Sequence, residues 1–249
     1  MFIEENKESK AIKQFSRFAH QYDTYNMIQA KVANRLVGKL TETYYPCILD
    51  IGCGSGEIYK NIQTSKIDFD KFIALDSSSK MLDLHPVHQN IEKISANFNT
   101  ITTFNQLEIL SEETLILSSS ALQWSENLDF IFEQLSQKAS KAYFAIFTAN
   151  TFKTLHKVAN THSPIYTENQ LKKAIEKYYH ATYELRAYKL EFLTIRDMFQ
   201  YIKKSGVSGG ERQLGYRETK QLMNNYPLTY LEFEVLFVEA TPFTTIVGK

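Results

Sequence analysis

The stretch Ile48-Leu49-Asp50-Ile51-Gly52-Cys53-Gly54-Ser55-Gly56 decides how this chain folds. An apolar run reads as a buried parallel strand; it delivers an acid at its end and then a turn with glycine at every second position. Without a Cβ, glycine lets backbone N–H groups approach a ligand closely, and such a turn suits an amino-acid carboxylate. The dinucleotide fingerprint GxGxxG is spaced to bring a pyrophosphate onto the following helix. Here the third glycine comes one position too early, which argues against a nicotinamide-dependent dehydrogenase. Twenty positions beyond Gly56, the run Phe72-Ile73-Ala74-Leu75-Asp76 ends a second strand in an acid, where a carboxylate can accept both hydroxyls of a ribose. Together the two strand ends specify a nucleoside bearing an amino acid, with Asp50, Gly52, Gly54, Gly56 and Asp76 as its candidate contacts.

Outward from this centre, apolar runs recur at 47–51, 72–75, 114–117 and 143–147, separated by helical or loop segments. This is a βαβ rhythm, and it predicts an α/β fold with a parallel sheet. From about residue 8 to 40 the chain reads as two helices, with Phe15, Phe18, Ala19 and Tyr22 on one face. After Asn150 the rhythm lapses into helix-like stretches at 152–159, 168–178 and 195–204, interrupted by a strand-like 183–192. A last strand at 231–240 alternates and closes the sheet. The predicted organisation is one domain over 1–249: N-terminal helices at 1–40, a cofactor-binding core at 41–150, a cap insertion at 151–229 over the carboxyl edge of the sheet, and a closing strand and tail at 230–249.

Composition narrows the partners. The 249 residues carry 28 Lys plus Arg against 28 Asp plus Glu, so no net charge draws the chain to nucleic acid or to an anionic membrane. The first residues carry acids and no apolar run, and nowhere is there a spanning segment of about 20 apolar residues, so a cytoplasmic protein is expected. Cys47 and Cys53 suggest neither a disulfide framework nor a metal knuckle. His85 and His88 form HxxH without a third ligand in sight, and no metal is expected.

The run ILDIGCGSG followed by ALDSSSKML resembles the first two motifs of class I S-adenosylmethionine-dependent methyltransferases, whose sheet is Rossmann-like. The resemblance implies that the 52–56 loop holds the methionine end of S-adenosylmethionine, that Asp50 orients its amino group and that Asp76 holds the ribose. Asn97 falls where these enzymes often place an acid against the adenine amino group, and an Asn oxygen can accept that bond. A plain loop role for Asn97 stays open.

Four further pieces resemble one family. They are Phe15-Ser16-Arg17-Phe18-Ala19-His20-Gln21-Tyr22-Asp23, Ser119-Ser120-Ala121-Leu122-Gln123-Trp124, Ile202-Lys203-Lys204-Ser205-Gly206-Val207 and Tyr226-Pro227-Leu228-Thr229-Tyr230. In that order, from about Phe15 to Ala240, they are similar to the malonyl-acyl-carrier-protein O-methyltransferases of biotin synthesis, the BioC family. Ser119 stands where that family commonly has Asn; it is grouped here with the cofactor contacts. The resemblance implies methyl transfer to the free carboxylate of a malonyl thioester on acyl carrier protein. An ionised carboxylate needs no general base, so the absence of a catalytic dyad is compatible. Tyr22 is a candidate hydroxyl donor to that carboxylate, Lys203 a candidate cation for it, and Trp124, the single Trp, a candidate wall of the transfer site. Each has a plain alternative: an apolar helical stripe, a solvated charge and a packing role. A carboxylate on coenzyme A, another small carboxylate, or an inactive interaction subunit are the other readings. Oligomeric state is not legible.

Overall fold

The computed structural model describes residues 26–204 and 215–243, the side chains of 203, 204 and 216 excepted. Its centre is a seven-stranded sheet of order β3-β2-β1-β4-β5-β7-β6. The strands are β1 (Tyr44–Ile51), β2 (Asp68–Asp76), β3 (Ile91–Ser95), β4 (Thr114–Ser119), β5 (Lys141–Phe147), β6 (Tyr179–Glu191) and β7 (Tyr230–Pro242). The first five run parallel; β7 is antiparallel to both β5 and β6.

The apolar runs are continuous because both faces of the sheet are covered. Alternate residues serve opposite layers. Ile48, Phe72, Leu115, Leu117 and Tyr143 pack with helices α1 (Met27–Val37) and α2 (Glu57–Thr64), through Ile28, Val32, Leu36, Ile58 and Ile62. Leu49, Ile51, Ile73, Leu75, Ile116 and Phe144 pack on the other side with Phe104 of α4 (Ile101–Asn105), with Ile131, Phe132 and Leu135 of α5 (Leu128–Ser136), and with Leu171 and Ile175 of α7 (Glu168–Ile175). The short α3 (Ser79–Leu84) follows β2 and is capped by the Ser78 hydroxyl, which accepts from the Met81 N–H at 3.4 Å.

The α/β expectation is met, with three differences in detail. Strand β3 was not expected; its five residues are only partly covered, so it lacks the apolar run that marks its neighbours. The stretch 183–192 is longer than its apolar signature: β6 has thirteen residues and forms the outer edge of the main sheet, where exposure on one side removes the pressure for a continuous apolar pattern. The segment 151–229, read as a cap, therefore contributes a strand to the sheet itself. Helix α6 (Lys153–Ala159) precedes that strand. The chain leaves the sheet between β6 and β7 through α8 (Ile195–Lys204) and α9 (Tyr216–Asn225).

Register locates this crossover. Phe147, the last residue of β5, lies opposite Val235, and the residues of β7 before Val235 run on past the carboxyl end of β5. Glu191 at the end of β6 is paired there with Tyr230 at the start of β7. The crossover thus departs from and returns to the carboxyl edge of the parallel strands, the edge at which open α/β sheets bind ligands.

Candidate active site

Strand order reverses between β1 and β4, and the 52–56 turn leaves β1 at that reversal. The three glycines hold φ of 71°, 53° and 89°, in the left-handed region. Two backbone bonds tie the turn to the neighbouring strand: the N–H groups of Gly52 and Cys53 both donate to the Leu75 carbonyl, at 2.8 and 3.0 Å. A third uses the acid at the end of β2. The Gly54 N–H donates to Asp76 Oδ2 at 2.9 Å, and the Ser78 N–H donates to Asp76 Oδ1 at 2.8 Å. Asp76 is half-buried, and with a third backbone donor at Ser77 its carboxylate still keeps acceptor capacity for a ligand hydroxyl.

The glycines do different work. A Cβ on Gly52 would come within 2.2 Å of Ala121 Cβ, and one on Gly56 within 2.7 Å of Pro86 Cδ and 2.9 Å of His85 Cδ2. Those two are required by the protein's own packing. A Cβ on Gly54 would meet only Met81 Cε, at 3.4 Å, so this glycine is the one that leaves the cleft clear. Gly56, expected among the cofactor contacts, is the N-cap of α2, packed against His85 and Pro86, and is not among the residues that line the cleft. The glycine spacing cannot separate these roles, because it carries no information about what faces each position.

A cleft of about 910 Å³, its open mouth included, is lined by Asp50, Gly52, Gly54, Asp76, Asn97, Ser119 and Trp124, all of them sequence candidates. The α1 residues Gln29 and Ala33 line it as well, four positions apart on one helical face, and sequence reasoning missed them. Their signal is ordinary amphipathic periodicity, and only packing turns that face to the cleft. Met81 and Phe98 add apolar wall.

Asp50 is the unusual group. It is fully buried, and among the described residues neither of its carboxylate oxygens has a hydrogen-bond partner. Burial pushes its carboxyl well above the usual range, and the neighbouring Asp76 carboxylate adds to the rise. Asp76 itself is raised by burial, against the lowering effect of its backbone donors. Two more polar atoms of the wall are buried without partners, Gln29 Oε1 and the indole Nε1 of Trp124. A buried polar atom without a partner costs free energy, and binding and catalytic sites are among the places where folded chains carry that cost.

The remaining candidates divide. The Asn97 Oδ1 accepts the Asn99 N–H at 3.0 Å, a bond that holds its own loop and leaves the oxygen one further lone pair. Ser119 ends β4, with its hydroxyl 3.5 Å from that of Ser120, whose φ is 62°. Lys203 lies in the last turn of α8, and its side chain is outside the described residues, as is all of Tyr22. Cys53 lines the cleft as a buried free thiol pushed well up by burial, then by Asp50 and Asp76. Among the described residues no helix is long and apolar enough to cross a membrane.

No family model matches the chain. It is 31% identical to the malonyl-[acyl-carrier protein] O-methyltransferase of Bacillus cereus, over 58% of this chain and 55% of that protein. Against the protein of the same name from Hamiltonella defensa the identity is 22%, over 95% of this chain and 94% of the relative. The chain spans about half the length of the first of these relatives in the matched region. In three dimensions it is similar to phosphoethanolamine N-methyltransferase 2 of Haemonchus contortus, solved with S-adenosylhomocysteine, at a TM-score of 0.56 and 10% identity, covering 92% of this chain and 58% of that one. The fold is that of the class I methyltransferases, and in sequence the chain resembles the malonyl-[acyl-carrier protein] O-methyltransferases.

Proposed function

We propose that this chain is an S-adenosylmethionine-dependent carboxyl O-methyltransferase whose substrate is the free carboxylate of malonyl-acyl carrier protein, and whose product, a malonyl methyl ester, enters biotin synthesis. The observation that carries the cofactor half is the Asp50 carboxylate, buried without a partner beneath the glycine turn and beside the Gly54–Asp76 bond. Such a set fits a ligand that brings an ammonium and a ribose together. The substrate half rests on the similarity to the malonyl-carrier enzymes and on the motif pieces that end in Trp124 and Tyr230.

The bound cofactor supplies one piece of chemistry, an electrophilic methyl group on a sulfonium. The chain does the rest. Asp76 would hold the ribose, the 52–54 turn and Asp50 would hold the amino-acid end, and Ser119 and Asn97 complete the wall. Trp124, at the carboxyl end of β4, walls the transfer site and keeps water from it. The malonyl carboxylate is already ionised at neutral pH, so the chain must align an oxygen with the methyl rather than remove a proton. Lys203 and Tyr22 are the proposed anchors of that carboxylate. Loss of the negative charge on esterification weakens the hold of a cation and favours release.

The test is mass spectrometry of malonyl-acyl carrier protein after incubation with the methyl donor and the purified chain. A methyl increment on the malonyl group is expected. In a parallel incubation, methylation of malonyl-coenzyme A with the carrier untouched would move the substrate to the coenzyme, and no methylation of either together with no calorimetric binding of the methyl donor would leave the interaction-subunit reading.

A further inference from the structure

We propose that Gln29 of α1 is a second ligand for the cofactor's ammonium group, its amide oxygen and the Asp50 carboxylate together forming an acceptor cage at the amino-acid end of the cleft. This rests on the methyl-donor reading above and extends it to a residue on a different element. Gln29 is 5% exposed, its Oε1 is buried without a partner among the described residues, and it lines the same cleft as Asp50, Gly52 and Gly54. The neighbouring acid of the wall is not available in the same way. Glu57 Oε1 accepts from Lys60 Nζ at 2.9 Å and from Asn26 Nδ2 at 3.3 Å.

The chemistry of the unpartnered atoms selects the ligand group. Of those that line the cleft, the ones on α1 and β1 are acceptors, Gln29 Oε1 and the two Asp50 oxygens, while the donor, Trp124 Nε1, stands apart beyond β4. A primary ammonium has three N–H donors and no acceptor, so it matches this set; a carboxylate, all acceptor, does not. Asp50 provides the charge that makes a buried ammonium tolerable, and the neutral Gln29 oxygen satisfies a further N–H without adding a second buried charge beside Asp50. Helix α1 is held for this purpose by packing: Ile28, Val32 and Leu36 are all fully buried against the sheet, and Asn26 at its start reaches Glu57 on α2.

The experiment compares calorimetric affinities of the wild-type chain and Gln29→Met, which keeps length and helical character but removes the acceptor. Three probes are used: S-adenosylhomocysteine, its decarboxylated form, which retains the ammonium, and 5′-methylthioadenosine, which lacks the amino-acid end. The expected result is a loss of about tenfold for the first two, the scale of one hydrogen bond to a charged group, with methylthioadenosine unchanged. Equal weakening of all three would make Gln29 a packing residue and overturn the inference. Loss for S-adenosylhomocysteine but not for its decarboxylated form would assign the amide to the carboxylate and overturn it too, as would unchanged affinity throughout. A wild-type chain that binds none of the probes would instead overturn the methyl-donor reading on which the inference rests. Retained methylthioadenosine binding by the variant also certifies its fold.

Discussion

At the scale of single residues, Asp50 sets function against stability. Its carboxyl is pushed up by burial and by Asp76, so the folded ligand-free chain holds a proton there more tightly than the unfolded chain does. Folding stability linked to this group is present below the ordinary carboxylate range near pH ~4 and is lost as pH rises through the raised value. Asp50→Asn removes that loss. Its thermal midpoint without ligand should exceed wild type at neutral pH, and the gap should close as pH falls toward ~4. The same variant should bind S-adenosylhomocysteine at least about tenfold more weakly, because the ammonium loses its counter-charge. Unfolding curves between pH 4 and 8 with parallel calorimetry decide the matter; a variant less stable than wild type at every pH would mean that Asp50 is a structural carboxylate. Affinity of the wild-type chain should rise with pH over the same interval, since the ionised form of Asp50 is the one the ammonium selects.

At the scale of the element, the 52–56 turn is a backbone device whose glycines answer to different demands. Gly56→Ala places a Cβ into Pro86 and His85 at a φ of 89°, so strain and overpacking add. The expected cost is roughly 2–5 kcal/mol of stability. Gly54→Ala meets only the flexible end of Met81, at a φ of 53°, and should cost no more than ~2 kcal/mol. Binding should rank the other way. In Gly54→Ala the methyl stands in the cleft beside the Asp76 bond, and S-adenosylhomocysteine affinity should fall by an order of magnitude or more while the chain stays folded. Denaturant titration and calorimetry on the two variants check both halves of the contrast. A stable Gly56→Ala, or a tightly binding Gly54→Ala, would show that the turn is organised differently.

At the scale of the whole molecule, the crossover between β6 and β7 and the helix α6 bring exposed cations toward the carboxyl edge. Lys157 lies on α6, Arg196 on α8, and Arg217 and Lys220 on α9, against the exposed acids Asp197 and Glu218 of the same helices, while Lys153 of α6 is 3.8 Å from Glu232 of β7. Helix α6 is in contact with α9, and α9 with α8. Net charge is zero for the chain as a whole, so any steering of an acidic carrier protein has to come from such a local excess. Turnover of malonyl-acyl carrier protein should therefore fall several-fold between about 0.05 and 0.3 M salt, through KM, while turnover of a small uncharged-carrier malonyl thioester stays nearly level. Matching salt profiles for the two substrates would remove electrostatic docking from the proposal.

What the sequence determined by itself is the part of the molecule written in local pattern. The apolar runs ending in Asp50 and Asp76, the glycine alternation between them and the alternating last strand specify an α/β core and the acids that line its cleft, because burial on both faces forces continuous apolar strands and a turn with positive φ favours glycine. What only the tertiary structure decided is which residues distant in sequence share one wall. Gln29 looks like any polar helix residue until packing of α1 sets it in the wall of the cleft that Asp50 also lines. Gly56 looks like a ligand glycine until His85 and Pro86 are folded against it. Strand β6 hides for a related reason: an edge strand has one side in solvent, and its sequence is released from the apolar continuity by which its neighbours are recognised. Periodicity reports how a segment is buried, whereas the identity of the neighbour that buries it comes from contacts that no local window contains.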